Sequence, residues 1–459
     1  MSEDRPAEQP GTGTGGAAAE PERNGSYRDL FAVREYRAMY FSLLVNWVGD
    51  YLARAAIIVL VYQRTESVTL SAASFAISYL PWIVGGPVLA AVAERYPYRR
   101  VLIVADLARA VPIALIALPG IPVPVILVLL FLTMLGAPPT QSARSALIPL
   151  VLERRLVITG LALNASTAQA AQVFGYLAGA ILAAGFNPRF CLALDAVSFL
   201  VSAAILTAWV KPRPAAVVTR RQHLLRETAE GFQLVFRTPL LRSIAVMVFA
   251  LTTFTILPEG LAAGWAAVFH EDPGSRGFDQ GLIMAAGPIG YVAGSLAVGR
   301  IATQAGKHRL VKPFAALAPL ALAFTAFAPN AITVAVLVAV SGVAQGVLVP
   351  ALNGTFVLAL PHGYRARANG VMQSGLQLSQ GASVMVTGVL AQHSSVPLVV
   401  GLWSLGGLAL MLTVAARWPG NAEAGEAAAA IPPRQRRGET SPTEEAGPGR
   451  STTAGRMDK

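Results

Sequence analysis

The sequence predicts an all-α membrane protein whose twelve transmembrane helices form two pseudo-symmetric six-helix bundles. Three observations predict it. In a chain of 459 residues, charged side chains make up 13% and AVILMFWYC 54%, against about 25% charge in an ordinary soluble domain. A water-facing surface cannot be covered with so few charges, which excludes a cytosolic enzyme, a disordered chain and a small secreted scaffold. Twelve apolar runs follow one another, most of them near the ~20 residues that cross a ~30 Å hydrocarbon core as a helix. They fall into two sets of six, with one long polar connection between the sets.

Residues 1–37 open on SEDRPAEQPGTGTGGAAAEPERNG, a tract with too little apolar surface to pack, and are expected to form a disordered cytoplasmic tail. The tail lacks a short apolar stretch with a cleavage site, so it does not read as a signal peptide. The N-terminal bundle, 38–210, takes spans 39–62, 71–92, 101–118, 123–147, 158–184 and 190–210. Connection 211–242 includes RQHLLRETAEGFQLVF, where Leu224, Leu225, Phe232, Val235 and Phe236 recur at helical spacing; this predicts a cytoplasmic surface helix joining the bundles. The C-terminal bundle, 243–417, takes spans 244–269, 281–302, 310–327, 331–352, 368–391 and 396–416, and 418–459 reads as a second disordered cytoplasmic tail. Barrel strands would be about 10 residues long and would alternate in polarity; these runs do neither.

The formal net charge of +11 is a membrane signature here and not a nucleic-acid one, because the cations lie at span ends and in the tails. One set of loops carries Arg95, Arg99, Arg100, Arg154, Arg155, the basic residues of 211–242, Arg300, Lys307, Arg309, Lys312, Arg365 and Arg367; the other carries Arg64, Arg189 and Arg276. Basic loops resist translocation, so both termini are expected in the cytoplasm, and an even span count agrees. Arg in place of Lys, with excess Ala, Gly and Pro, fits a high-GC bacterial genome, and the expected location is a bacterial cytoplasmic membrane. The single cysteine, Cys191, excludes an internal disulfide and a thiolate cluster and reads as inert packing.

Weak internal repetition links the halves. RRVLI at 99–103 parallels HRLVK at 308–312, and Asn164, Gln169 and Gln172 parallel Asn369, Gln373 and Gln377. Two such halves usually place a substrate path between them near the midplane. The loop after the second span, AAVAERYPYRRVLIVADLARA, resembles the loop motif of the major facilitator superfamily: Arg95, Arg99 and Arg100 match, Glu94 stands where that family usually has Asp, and Ala90 where it usually has Gly. NWVGDYLARAAIIVLVY, VADLARA, PPTQSARSALIPLV and LALDAVSFLVSAAIL resemble the branch that includes macrolide-efflux and enterobactin-exporter proteins. The likeness runs from about Phe31 to Arg417. It implies the major facilitator fold and a gating loop, in which Glu94 caps the eleventh helix in the outward-facing state while Arg95, Arg99 and Arg100 hold carboxylates or lipid phosphates. The alternative is that these arginines only set topology.

Ionisable residues inside spans are costly and point to function. Asp50 lies near the middle of the first span with Arg54 four residues on, and the pair is the expected proton and substrate site. Glu259, after a helix-kinking Pro258, is the reserve. Asp106, Arg109 and Arg144 are expected to be structural charge support, with Asp106 and Arg109 bracing the loop, and Asp195 reads as interfacial and structural.

No phosphate-cradling G-x-x-x-x-G-K-[ST] loop and no H-E-x-x-H occur, and the five His are scattered in loops, so no catalytic residues, no metal and no cofactor are expected. Energy would come from an ion gradient, and protons are the expected ion because the intramembrane acids are carboxylates. The expected function is secondary active, proton-coupled export of small amphipathic molecules such as antibiotics, siderophores or secondary metabolites, carried in a wide apolar cavity by alternating access. Uptake, and a non-transporting sensor or scaffold on the same fold, are the alternatives. Membrane lipid and the substrate are the expected partners, without nucleic acid, in a monomer.

Overall fold

A computed structural model describes residues 26–84, 89, 95–214, 224–301, 304–360 and 365–416. The described residues are helical throughout, with no strand among them. Their elements are α1 (Tyr27–Ala32), α2 (Arg34–Thr65), α3 (Val68–Ala76), α4 (Leu80–Val84), α5 (Tyr98–Ala117), α6 (Val123–Leu135), α7 (Ala137–Val151), α8 (Arg154–Gly185) and α9 (Pro188–Trp209) in the first half. After α10 (Leu224–Arg237) come α11 (Pro239–Thr255), α12 (Leu257–Gly260), α13 (Ala262–Phe269), α14 (Pro273–Ile301), α15 (Gln304–Ala323), α16 (Ala331–Ala359), α17 (Arg365–Gln392) and α18 (Val396–Ala416). Helical structure thus occupies each of the twelve expected spans.

Among the described residues, nine helices are long and apolar enough to cross a membrane. Of the other three spans, the second is described only in part, as the apolar stretch Val68–Ile83. Helix α5 contains Arg99, Arg100, Asp106 and Arg109, and α17 contains Gln373, Gln377 and Gln380. These polar groups lower hydropathy in helices whose inner faces serve the interior of the bundle.

Three boundaries depart from the sequence expectation. Part of the stretch 1–37 expected to be disordered is helical: Ser26 and Asp29 form a reciprocal capping box at α1, and Leu30 is fully buried. Glu35 then pairs with Arg213, whose Nη2 donates to Glu35 Oε2 at 2.8 Å, tying the start of α2 to the chain after α9. The fourth span is two helices, broken at Gly136, where a side chain would collide with the stem of Arg109. The seventh is three pieces around Pro258, since proline removes a backbone donor and clashes with the preceding turn. The linker helix α10 does not float on the surface; it packs on α17 and α11 of the second half and buries Val235.

Within the first half, α2 packs against α8 and α9, and α5 against α9; within the second, α16 lies between α14 and α15, and α15 meets α18. The halves meet through α8 on α14 and α3 on α17. These two contacts are related by the six-span repeat, as expected of two superposable bundles. Away from the tails, Thr69 Oγ1 donates to the Gly388 carbonyl at 3.0 Å, Ser67 Oγ to Gln392 Oε1 at 3.1 Å and Gln280 Nε2 to the Ala55 carbonyl at 3.1 Å.

Helices α14 and α16 approach backbone to backbone. A Cβ at Gly290 would overlap the Ala339 carbonyl, one at Gly294 the Val343 carbonyl, and ones at Gly342 and Gly346 the Gly287 and Tyr291 carbonyls. GPIGYVAGSLAVG therefore acts as a backbone-to-backbone seam, a common device where lipid supplies no hydrophobic drive between helices. Gly290→Ala is expected to destabilise by about 1–3 kcal/mol, the cost of overpacking a close contact. Gly354→Ala, on α16 where a Cβ meets nothing within 4 Å, is expected to be neutral or slightly stabilising. Thermal unfolding in detergent separates the two, and equal midpoints would remove the seam.

Candidate functional site

Helix α2 presents Leu43, Asn46, Trp47, Asp50, Tyr51 and Arg54 to one cavity. Their spacing of three and four residues is one stripe of an α-helix. The cavity measures about 420 Å³ and lies between the halves, with Glu259, Tyr291, Gln345, Gln377 and Gln380 contributed by the second. It lies on the tail side of the ties at Ser67, Thr69 and Gln280.

The lining corrects the expectation of a wide apolar cavity. Six glutamines, Gln141, Gln169, Gln172, Gln345, Gln377 and Gln380, face it together with Trp47, Tyr51, Tyr79, Trp82 and Tyr291. Amide groups distributed around aromatic walls favour a ligand with both a planar or apolar body and several hydrogen-bonding groups.

Charge in the cavity is organised differently from the local pairing read in the sequence. Asp50 is paired not with Arg54 but with Arg109, 2.5 Å from Asp50 Oδ1 to Nη2. Arg109 also donates from Nε to the Thr133 carbonyl at 3.2 Å and lies over the Phe199 ring at 4.3 Å. Helices α2, α5, α6 and α9 all converge on this one guanidinium. Residues four apart on a helix are neighbours, but a partner reaching in from another helix can approach head-on, and here it does.

Arg54 instead lies among aromatic rings, 5.6 Å from the centroids of Tyr51 and Phe75 and 5.9 Å from that of Tyr79. Glu259 faces it across the cavity from the second half. The Glu259 carboxyl accepts from Tyr176 Oη at 2.9 Å and, at 3.4 Å, from Gln172 Nε2. Among the described residues neither Arg54 nor Glu259 makes an ion pair. The structure therefore brings Asp50, Arg54 and Glu259 to one cavity, but in two separate groupings.

Asp106 and Arg109 do not brace each other. Asp106 accepts from Asn46 Nδ2 at 3.0 Å and Ser202 Oγ at 2.5 Å, because Arg109, three residues on, turns toward Asp50. Arg144 is 4% exposed and donates to the Met39 carbonyl at 2.7 Å and Ser42 Oγ at 3.3 Å, so it fastens α7 to α2. Asp195 is 1% exposed and packs against Gly49. Cys191 is buried, with Sγ 3.8 Å from the Gly179 carbonyl.

The gating-loop residues are spread out. Glu94 lies outside the described residues, and Arg95 and Arg100 are exposed. Arg99 donates from Nη2 to the Thr207 carbonyl at 2.6 Å and from Nε to that of Leu206 at 3.3 Å. It thus closes the carbonyl end of α9, where unsatisfied acceptors and the helix dipole favour a cation, and among the described residues it holds no carboxylate.

Tyr176 and Gln141 are cavity or cavity-supporting residues that charge-based reading passes over. A usable signal exists on α8: Gln169, Gln172 and Tyr176 are three and four apart, a polar stripe in an otherwise small-residue helix.

A family model described as Major Facilitator Superfamily matches residues 39–312 and 264–446. Among solved structures, the chain is similar to a POT family transporter in complex with 5-aminolevulinic acid, at 11% identity and TM-score 0.66 over 86% of this chain and 98% of that one. It is similar to the nucleoside transporter NupG at 11% identity and TM-score 0.65, over 83% and 98%, and to a peptide transporter POT in complex with sulfate at 13% and 0.63, over 85% and 95%. At these identities the likeness carries the fold. No curated protein matches by sequence.

Proposed function

The chain belongs to the Major Facilitator Superfamily, a transporter family and not an enzyme family, and from that membership we propose that it exports small amphipathic molecules in exchange for protons. The observation that carries this reading is the cavity between the halves, where, among the described residues, Glu259 is held by Tyr176 and Gln172 alone. A carboxyl group bonded only to neutral donors can take up or lose a proton without breaking an ion pair. Cargo that reaches the same space competes with that proton, and such competition links the two flows.

The about 420 Å³ cavity is within the range of small-molecule sites. Its aromatic walls suit a planar or apolar body and its glutamines suit polar edges, which supports amphipathic cargo such as an antibiotic, a siderophore or a secondary metabolite. The resemblance to macrolide-efflux and enterobactin-exporter sequences supports export. The ties at Ser67, Thr69 and Gln280 close the end remote from the tails, so the cavity is placed to load from the tail side, the cytoplasm in this reading.

Two measurements test it. In vesicles reconstituted with the purified protein and a trapped pH dye, adding amphipathic fluorescent compounds under a pH gradient should move protons opposite to the compound; proton flow in the same direction as the compound would make the protein an importer. For orientation, in a Cys191→Ser background, Ser275→Cys should react with an impermeant maleimide in intact cells and Ser441→Cys should not. Labelling of the latter would invert the topology.

A further inference from the structure

Asp195 on α9 is a carboxyl that neither the ion pair nor the cargo cavity uses. It is 1% exposed, and the hydrogen bond it accepts, from Ser198 Oγ at 3.2 Å, comes from its own helix. Among the described residues it makes no ion pair. It reaches the first span because Gly49 has no side chain: a Cβ there would overlap both Asp195 Oδ1 and Ser198 Oγ. Asp50 is the next residue along.

A pocket of about 10 Å³ joins Asp50 and Asp195, with Arg54, Ser74 and Ser78 also on its wall. That is about the room one water molecule needs, and a buried water is stable where two to four polar groups surround it. Asp50 also lines the main cavity, so it stands in both spaces. The charged groups facing Asp195 are Asp50 and Arg109, with Arg54 on the pocket wall. Arg109 is committed to Asp50 and to the Thr133 carbonyl, and Arg54 to its aromatic neighbours.

We propose that Asp195 is a second proton-binding site, which exchanges its proton with Asp50 through a single water in this pocket. Two carboxylates sharing one guanidinium cannot both stay ionised at low cost in a buried setting, so the site holds one proton. While Arg109 pairs with Asp50, the proton rests on Asp195. When Arg109 withdraws, Asp195 gives the proton to the bridging water, that water gives one of its own to Asp50, and Asp195 is left as the carboxylate. Asp50 then opens that proton to the main cavity. In the transport reading above, on which this consequence rests, each cycle moves a second proton besides the one on Glu259.

Infrared spectroscopy of the purified protein tests the site without any cargo. At neutral pH the wild type should show a protonated-carboxyl C=O stretch that is missing from Asp195→Asn and retained in Glu259→Gln. Ser198→Ala keeps Asp195 and removes its hydrogen bond, so the same band should shift; it also serves if Asp195→Asn fails to fold. A spectrum unchanged by both substitutions overturns the proposal. In vesicles with a one-unit pH gradient, Asp195→Asn should lower maximal accumulation from about hundredfold to about tenfold, one decade per proton. Unchanged accumulation overturns the second proton. An Asp195 band in a wild type that moves no cargo would instead sink the transport reading and leave the proton site standing.

Discussion

Glu259→Gln is expected to lower uphill accumulation about tenfold while leaving cargo exchange intact. The substitution keeps the size of the side chain and an oxygen for Tyr176 Oη, which lies 2.9 Å from the carboxyl, so the cavity keeps its shape. It removes the exchangeable proton. A one-unit pH gradient is worth about 1.4 kcal/mol, or about tenfold accumulation, for each coupled proton. The decade that belongs to Glu259 should disappear, and with it the link between cargo and proton in this half of the cavity. Counterflow, in which labelled cargo exchanges for unlabelled cargo without a gradient, should continue. Full accumulation by Glu259→Gln would return the wager to Asp50, where the sequence alone places it, and Asp50→Asn would then be the variant to lose coupling.

Arg109→Leu should be the most destabilising single change in the first half. It strips the ion pair from Asp50, an acceptor's partner from the Thr133 carbonyl and a cation from the face of Phe199. Removing one partner of a buried pair costs about 3–5 kcal/mol because a charge is left uncompensated. The lower end applies, since Asp50 keeps 19% exposure toward the cavity. Adding Asp50→Asn to Arg109→Leu removes the stranded charge and should recover much of the loss, and thermal unfolding of the single and double variants measures it. If Arg109→Leu unfolds at the wild-type temperature, the pair is not holding these helices together.

The twelve spans were legible because helices in lipid must be long and continuously apolar, and that signal survives without any knowledge of partners. Helices α5 and α17 are weaker by the same measure because Asp106 and Arg109 are buried and Gln377 and Gln380 line the cavity. The site was legible as residues and not as pairs. Asp50, Arg54 and Glu259 stood out as intramembrane charges, yet the local rule joined Asp50 to Arg54, while the true partner lies 59 positions on and depends on how α2 and α5 pack. Gly49 lets Asp195 reach the first span, and only a packed structure shows that the place of a missing side chain has been filled. The glutamines were visible as repeats, but nothing in a single strand of sequence says that Gln169, Gln172 and Gln377 face one space.

The ties between the halves at Ser67, Thr69 and Gln280 have a kinetic consequence. All are neutral hydrogen bonds to amide or carbonyl oxygens, each worth about 0.5–1.5 kcal/mol net. Mobile ions screen charges within about 8 Å at physiological ionic strength but do little to neutral dipoles. Opening this end should therefore proceed at the same rate in dilute buffer and in concentrated salt, so that the frequency with which the halves part here is set by the composition of this contact and not by the ionic medium.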